Sequence, residues 1–258
     1  MSQVVSFHSF KGGVGRSLLL ANLAVSLAEL NLNVMCVDFN LPSGGLHNFF
    51  GLASEDLHNT VLDLFHPLSP EDVTWVAVDL TNTLEVELKA GKLWLLPTVA
   101  EPAKLSYTYE FAQDLGAKFQ MILNEIESVF RPDFVLVDCP AGFSESASGP
   151  ILKSDYVICV LKANNQDTEG TRMLLDILST IGKSPVVILA LNQVPGSNEM
   201  EIGSAIFREL GSEKVFNAVV PFIRQTADIY RVGPNVVRDK QLTQCMKPIV
   251  KRLQGSPE

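Results

Sequence analysis

The sequence predicts an α/β fold: one domain over residues 1–258, built on a mostly parallel, twisted sheet with helices on both faces. Three observations predict it. Apolar strand-like runs alternate with helix-like stretches along the whole chain of 258 residues. The runs are continuously apolar and not alternating, as strands buried on both faces are. A glycine-rich loop, Lys11-Gly12-Gly13-Val14-Gly15-Arg16-Ser17, joins the first run to the first helix-like stretch. Strand, loop and crossover helix in that order build parallel sheets.

The elements follow in order. Val4–Ser6 reads as a buried strand, Ser17–Leu30 as a buried helix and Val34–Val37 as the second strand. Leu84–Leu96 reads as a local hairpin turning at Lys89-Ala90-Gly91-Lys92, with Leu93–Leu96 as its strand arm. Tyr107–Phe130 reads as one long helix whose Tyr109, Phe111, Phe119 and Ile122 form a core-facing stripe. Strands are expected at Phe134–Val137, Tyr156–Leu161, Val186–Leu191 and Val215–Val220, and helices at Gly170–Ile181, Glu199–Leu210 and Gln241–Leu253. No repeat, low-complexity tract or linker divides the chain.

Composition narrows the class. Hydrophobic residues make up 47% and charged residues 19%, which suits a folded globular chain and not a disordered one. No apolar run approaches bilayer-spanning length. Cys36, Cys139, Cys159 and Cys245 lack metal-ligand or redox spacing, and Met1-Ser2-Gln3 enters the first strand without a cationic segment or cleavage site. These features predict a cytoplasmic protein with reduced structural thiols. The formal net charge is −9, unevenly spread: residues 1–199 carry 11 Lys and Arg against 23 Asp and Glu, and residues 200–258 carry 9 against 6. The C-terminal quarter is therefore mildly basic, either an ordinary solvated surface or a face for DNA or an anionic membrane. His8, His47, His58 and His66 show no ligand or nucleophile–base spacing, and His8 reads as a packed structural residue.

The glycine loop carries the strongest chemistry. Glycines let backbone N–H groups approach phosphate oxygens, and the helix N-terminus adds positive potential. Ser17 is placed to offer its hydroxyl to Mg2+. The loop therefore predicts a single-domain P-loop NTPase, with Gly12, Gly13, Val14, Gly15, Arg16, Ser17 and Leu18 around the phosphates. Two positions depart from the usual G-x-x-x-x-G-K-[ST] box: Ser9 stands at the first glycine and Arg16 at the lysine.

Two strand-end motifs follow. In Val34-Met35-Cys36-Val37-Asp38-Phe39-Asn40, a carboxylate ends an apolar run and precedes a loop holding Gly44 and Gly45. In Phe134-Val135-Leu136-Val137-Asp138-Cys139-Pro140-Ala141-Gly142, another does the same before a Pro/Gly loop. Carboxylates so placed reach a metal-bound phosphate or its water shell. A weaker element is Asn192, ending Val186–Leu191 as either a turn residue or a base-pairing amide.

Together the motifs resemble the ParA/MinD family of ATPases, whose deviant Walker A box is K-G-G-x-G-K-[ST]. The resemblance implies ATP and Mg2+ as cofactors and an ATP-dependent homodimer in which Lys11 reaches the partner's nucleotide. It implies that Asp38 is the first Asp of the first switch, and that Asp138 orders Mg2+ water while Gly142 meets the γ-phosphate region. Ser17, Asp38 and Asp138 become the metal-site residues, and Asn192 the residue that hydrogen-bonds adenine. Pro221-Phe222 stands where the family lines the base pocket.

Asn40 stands where the family has a second Asp that orients water. An amide can hydrogen-bond water but cannot accept its proton, so Asn40 is either a weakened catalytic group or a turn cap. Arg16 keeps the lysine's charge in a larger, differently aimed head. Both departures predict binding with slow hydrolysis. The expected function is a nucleotide-dependent switch that positions or partitions DNA, a protein complex or a membrane machine. Alternatives are a nucleotide-gated protein-interaction switch with little hydrolysis and no DNA binding, or a metabolic ATP-dependent ligase. A protein partner or activator is expected, and non-specific DNA contact through the C-terminal quarter is open. The tail Met246–Leu253 reads as a last helix packed on the sheet or, less suitably at two turns, as a weak membrane anchor.

Overall fold

The structure, a computed structural model, describes residues 1–65, 72–82, 88, 90–111, 115–180, 185–196, 198–211, 216–222 and 240–255. Eight strands form one sheet: β1 Gln3–His8, β2 Val34–Asp38, β3 Val78–Asp79, β4 Leu93–Leu96, β5 Phe134–Asp138, β6 Tyr156–Leu161, β7 Val186–Val194 and β8 Phe216–Pro221. Their order is β3-β4-β2-β5-β1-β6-β7-β8, and every pairing is parallel except β3 with β4. The fold is thus the expected mostly parallel α/β sheet.

Each apolar run buries both faces. Val34 and Cys36 join a core with helix α1 (Arg16–Glu29), while Met35 and Val37 join the opposite core. Helix α9 (Lys240–Leu253) lies on the α1 side. Helices α5 (Leu115–Val129), α7 (Asn165–Ser179) and α8 (Glu199–Glu209) pack on the other. The other helices among the described residues are α2 Leu46–Phe49, α3 Val73–Val76, α4 Pro102–Phe111 and α6 Glu145–Lys153, with 3-10 turns at Ser54–Asp56 and Val61–Phe65.

The connections place the site. From β1 the chain crosses to β2 on one side, and from β5 it crosses to β6 on the other. The sheet's direction of winding therefore reverses between β1 and β5, and a crevice opens beyond their carboxyl ends. Lys11–Ser17 follows β1, the Asp38 loop follows β2 and the Asp138 loop follows β5.

Several boundaries differ from expectation. The stretch Tyr107–Phe130 is two helices, α4 and α5, with residues 112–114 outside the described set. Phe119 and Ile122 are buried as the stripe requires; the side chains of Tyr109 and Phe111 are not described. Helix α7 begins at Asn165 and not Gly170, because Asn164 caps it: Asn164 Oδ1 accepts the Asp167 N–H at 3.0 Å, and Asp167 Oδ2 accepts Asn164 Nδ2 at 2.9 Å. The expected hairpin arm at residues 83–87 and its turn residue Lys89 lie outside the described residues. Within them, β4 takes Val78–Asp79 as its antiparallel partner.

The cysteines are free, and burial pushes the Cys139 and Cys159 thiols up to about 12, which keeps them protonated. Among the described residues no helix is long and apolar enough to cross a membrane. The apolar face of α9 is used internally: Leu242, Met246, Ile249 and Leu253 are buried in the core shared with α1. That face is therefore not available to a bilayer while the helix is docked. Met246→Ala is expected to lower the unfolding free energy by about 2–5 kcal/mol in urea denaturation, the cost of a methionine-sized cavity. A loss below ~0.5 kcal/mol would mean that α9 is not part of the cooperative fold.

Candidate functional site

The site begins with the backbone of residues 11–17. Gly13 and Gly15 hold φ of 74° and 89°, the left-handed region that a side chain disfavours. Gly15 also starts α1, and its carbonyl accepts the Leu19 N–H at 3.1 Å. Val14 and Leu18 turn inward and are buried, which fixes the loop to the core from both ends. Gly12 has open space around it.

Arg16 and Ser17 both address Asp138. Arg16 Nε donates to Asp138 Oδ1 at 2.5 Å, Arg16 Nη1 donates to Ser9 Oγ at 3.0 Å, and the Ser17 hydroxyl donates to Asp138 Oδ2. Arg16 is 8% exposed and Asp138 fully buried. Burying such a pair costs solvation, and the extra hydrogen bonds from Ser17 and to Ser9 offset part of it. Ser9, standing where the usual loop has glycine, thus serves as a seat for the guanidinium.

Asp38 is Asp138's neighbour in the β2–β5 register and equally buried. Its Oδ2 accepts the Leu46 N–H at 3.0 Å and its Oδ1 the Asn40 N–H at 3.2 Å. Burial, then the Asp138 charge, pushes its carboxyl well above the usual range. Asp38 therefore organises its own loop: it caps α2, while the Asn40 carbonyl accepts from Ser43 and Gly44. The Thr98 hydroxyl holds the Asp38 carbonyl at 2.5 Å.

The donor set suits a hard cation. Ser17 Oγ and two adjacent carboxylates share one counter-charge, Arg16, and all are oxygen donors. Among the described residues no three His, Cys, Asp or Glu cluster into a metal cage. Any Mg2+ here would therefore complete its shell with phosphate oxygens and water, as that ion prefers.

The remaining residues lie as follows. Lys11 is exposed, and its Nζ donates to Gln166 at the start of α7. A cavity of about 350 Å³ opens there, lined by Lys11, Gly12, Val14, Lys162 and Asn164–Asp167. The Gly142 N–H donates to the Ser9 carbonyl at 2.9 Å, so the Asp138 loop is docked on the phosphate loop. Asn192 is buried, and its Nδ2 donates to the Val14 carbonyl at 2.8 Å. The structure thus gathers Arg16, Ser17, Asp38 and Asp138 at one strand-end cluster, with Gly142 and Asn192 on the loop's flanks. Pro221 ends β8, and Phe222 follows it, half-exposed.

Sequence reasoning missed an aromatic wedge. Phe10 lies on Gly170 of α7, where a β-carbon would fall 2.0 Å from its ring, and near Phe143 at 6.0 Å between centroids. Phe143 also faces His8 at 6.0 Å and is 41% exposed. Gln166 was missed as well; the Asn-x-x-Asp capping pattern around it was the available signal.

His8 is buried, and neither ring nitrogen meets a partner at hydrogen-bonding geometry. Burial and the Arg16 charge push its pKa down to about 4, against a weaker pull from the Pro140 carbonyl. A histidine depressed in the folded state binds fewer protons there than in the unfolded chain between about pH 6.5 and 4. Its contribution to stability is present near neutrality and lost as pH falls through that window. His8→Leu is therefore expected to shrink the stability difference between pH 7 and pH 5 by about 2 kcal/mol in urea titrations. An unchanged difference would refute the depressed pKa.

The AAA_31 family model, described as an AAA domain, matches residues 2–190. A septum site-determining protein MinD of Helicobacter pylori is 29% identical over 161 residues, spanning 62% of this chain and 53% of that protein. The sporulation initiation inhibitor protein Soj of Bacillus subtilis is 20% identical over 235 residues, spanning 86% of this chain and 85% of that one. The solved structure of the septum site-determining protein MinD from Pyrococcus horikoshii, complexed with Mg-ADP, superimposes with a TM-score of 0.73 at 18% identity, covering 98% of this chain and 96% of that one. A specific loop, two strand-end aspartates in register and a family match over most of the chain agree: the chain belongs to the ParA/MinD family of P-loop ATPases.

Proposed function

We propose that residues 1–258 form one ATPase domain that binds ATP with Mg2+, dimerises around the nucleotide and hydrolyses it slowly. Its nucleotide state then serves as a switch for positioning or partitioning a cargo inside the cell, in the cytoplasm. One observation carries the reading: Arg16 and Ser17, side by side at the start of α1, both engage Asp138. That arrangement matches charge and oxygen donors to a triphosphate with its cation.

The residues have separable work. Gly12 to Leu18 form the cradle, and Arg16 supplies its charge. The guanidinium has five donors in a planar fork, of which Nε serves Asp138 and Nη1 serves Ser9. Phosphates would draw it from Ser9 while Nε keeps its carboxylate. A lysine has one head group and would have to leave Asp138 to reach the same oxygens. Ser17 and Asp138, with Asp38 beside them, would hold the cation, which supplies neutralisation of phosphate charge. Asp38 and Asn40 shape the first switch loop. Asn40 can orient a water but not take its proton, which supports slow turnover. Gly142 belongs to the second switch, and its N–H would exchange the Ser9 carbonyl for the γ-phosphate region. Asn192, at the end of β7, would meet the adenine base.

Lys11 supports the dimer. It is exposed beside the cradle, and among the described residues its Nζ is held by Gln166 of its own chain, an amide it could exchange for a partner's nucleotide. The outward face of α9 carries Lys240, Lys247, Lys251 and Arg252, all exposed, which keeps non-specific DNA contact open. The net charge of −9 favours a protein partner or activator as the reader of the switch.

Light scattering on chromatography tests the dimer. A dimer with ATP–Mg2+, a monomer with ADP–Mg2+, and loss of the ATP dimer in Lys11→Ala are expected. A nucleotide-independent size, unchanged by the substitution, would refute the mechanism. Asn40→Asp is expected to raise phosphate release by about tenfold or more, since it restores a proton acceptor. Brisk turnover by the unsubstituted protein, near ~10 per second, would refute slow hydrolysis.

A further inference from the structure

Lys11 leaves the glycine loop at a point where the chain after it is open. Among the described residues, a β-carbon at Gly12 or Gly13 would meet nothing within 4 Å. The next buried side chain along the loop is Val14. A hold on the base of the lysine must therefore come from the residues before it. Ser9 supplies one: its hydroxyl donates to the Lys11 carbonyl at 2.8 Å. Phe10 supplies the other.

The Phe10 ring sits on Gly170 of α7. A β-carbon at Gly170 would fall 2.0 Å from Phe10 Cγ, 2.4 Å from Cδ1 and 2.5 Å from Cδ2. A glycine inside a helix weakens that helix relative to alanine, and here it leaves the notch that the ring fills. Phe143 lies beside the same ring at 6.0 Å between centroids, within the range of an aromatic pair.

Gln166 stands four residues before Gly170, so the two lie one turn apart on the same face of α7. Gln166 accepts Lys11 Nζ, and Gly170 seats Phe10. Two consecutive residues of the loop thus grip two consecutive turns of one helix. A lysine is a point charge on a flexible stem, and ordering that stem costs affinity. Fixing where the stem begins removes part of that cost before any partner arrives. Releasing Phe10 would keep the charge of Lys11 and free its base to move with the glycines.

We propose that Phe10 is a positioning residue for Lys11: its ring, seated on Gly170, sets where the lysine leaves the loop and so how it meets the nucleotide of a second copy of this chain. This rests on the reading of Lys11 as the lysine that crosses the dimer.

The experiment pairs two measurements on the protein, Phe10→Ala, Phe10→Leu and Gly170→Ala. Calorimetric titration of ADP–Mg2+ reports the cradle of one chain alone. Light scattering over a concentration series with ATP–Mg2+ reports the dimer, and thermal melting accompanies each variant. Leucine keeps a Cγ and two Cδ atoms, the atoms that lie on Gly170, and loses the rest of the ring. Gly170→Ala dislodges the ring from the other side while favouring the helix itself. The expected result is ADP affinity within about twofold throughout, and an ATP dimer about tenfold weaker in Phe10→Ala and Gly170→Ala, the scale of ordering one long side chain. Phe10→Leu is expected to restore the dimer to within about threefold. An unchanged dimer in Phe10→Ala would overturn the proposal. So would ADP affinity and dimer falling together with melting temperature, which would make Phe10 packing for the whole loop. An unsubstituted protein that stays monomeric with ATP would overturn the dimer reading of Lys11, and the proposal with it.

Discussion

Two buried carboxylates placed side by side are the constraint on which the site depends. The β2–β5 register sets Asp38 opposite Asp138, both fully buried at adjacent strand ends. Like charges so placed cannot both stay ionised without help. The structure answers differently for each. Asp138 receives the Arg16 guanidinium and the Ser17 hydroxyl. Among the described residues Asp38 receives the backbone N–H groups of Asn40 and Leu46, and its carboxyl is pushed up. The pair is therefore unequal: one member faces Arg16 and Ser17, and the other, held by its own loop, has its carboxyl pushed up. A divalent cation brought to this place would restore the missing charge, which is why an oxygen-rich, cation-poor strand end belongs beside a glycine loop.

The same cluster ties three loops together. The Asp138 loop leans on the phosphate loop through the Gly142 N–H and the Ser9 carbonyl. Ser9 in turn seats Arg16, so the guanidinium senses both ends of that contact. The Phe10 ring fills the notch at Gly170 and meets Phe143, which joins the loops to α7. The Ser9 hydroxyl that seats Arg16 also donates to the Lys11 carbonyl at 2.8 Å, so Ser9 joins the guanidinium, the start of the phosphate loop and, through its own carbonyl, Gly142.

Much of this was legible in the chain. Continuous apolar runs located seven of the eight strands, because burial on both faces leaves no polar position to confuse the period. The strand missed, Val78–Asp79, is two residues long and carries no pattern. Helix α7 was placed five residues late, since its start is polar and is fixed by a side-chain cap and not by apolar period. Motif spacing in the sequence marks the loop of residues 11–18 and both strand-end aspartates, and the fold brings them to one end of the sheet. Spacing does not mark their partners: that Arg16 turns back on Asp138, that Ser9 receives it, or that Asn192 meets Val14 depends on side-chain direction across strands far apart in sequence. Ser9 shows the difference well. In the sequence it is a missing glycine; in the fold its hydroxyl receives Arg16.

That last relation suggests how the two departures at the loop belong together. A lysine at position 16 would bring a compact ammonium with three donors but no planar fork to span from Asp138 to Ser9. An arginine brings a wide planar head whose second nitrogen needs an acceptor when no phosphate is present. Glycine at position 9 would offer only backbone; serine offers a hydroxyl at 3.0 Å. Ser9 and Arg16 therefore satisfy one another in a buried place where an unpaired donor would be costly. The guanidinium is thus held by Nε on Asp138 and Nη1 on Ser9 and does not stand in open solvent. Serine at position 9 and arginine at position 16 are thus a matched pair in the loop: the hydroxyl that glycine lacks receives the wider head that lysine lacks.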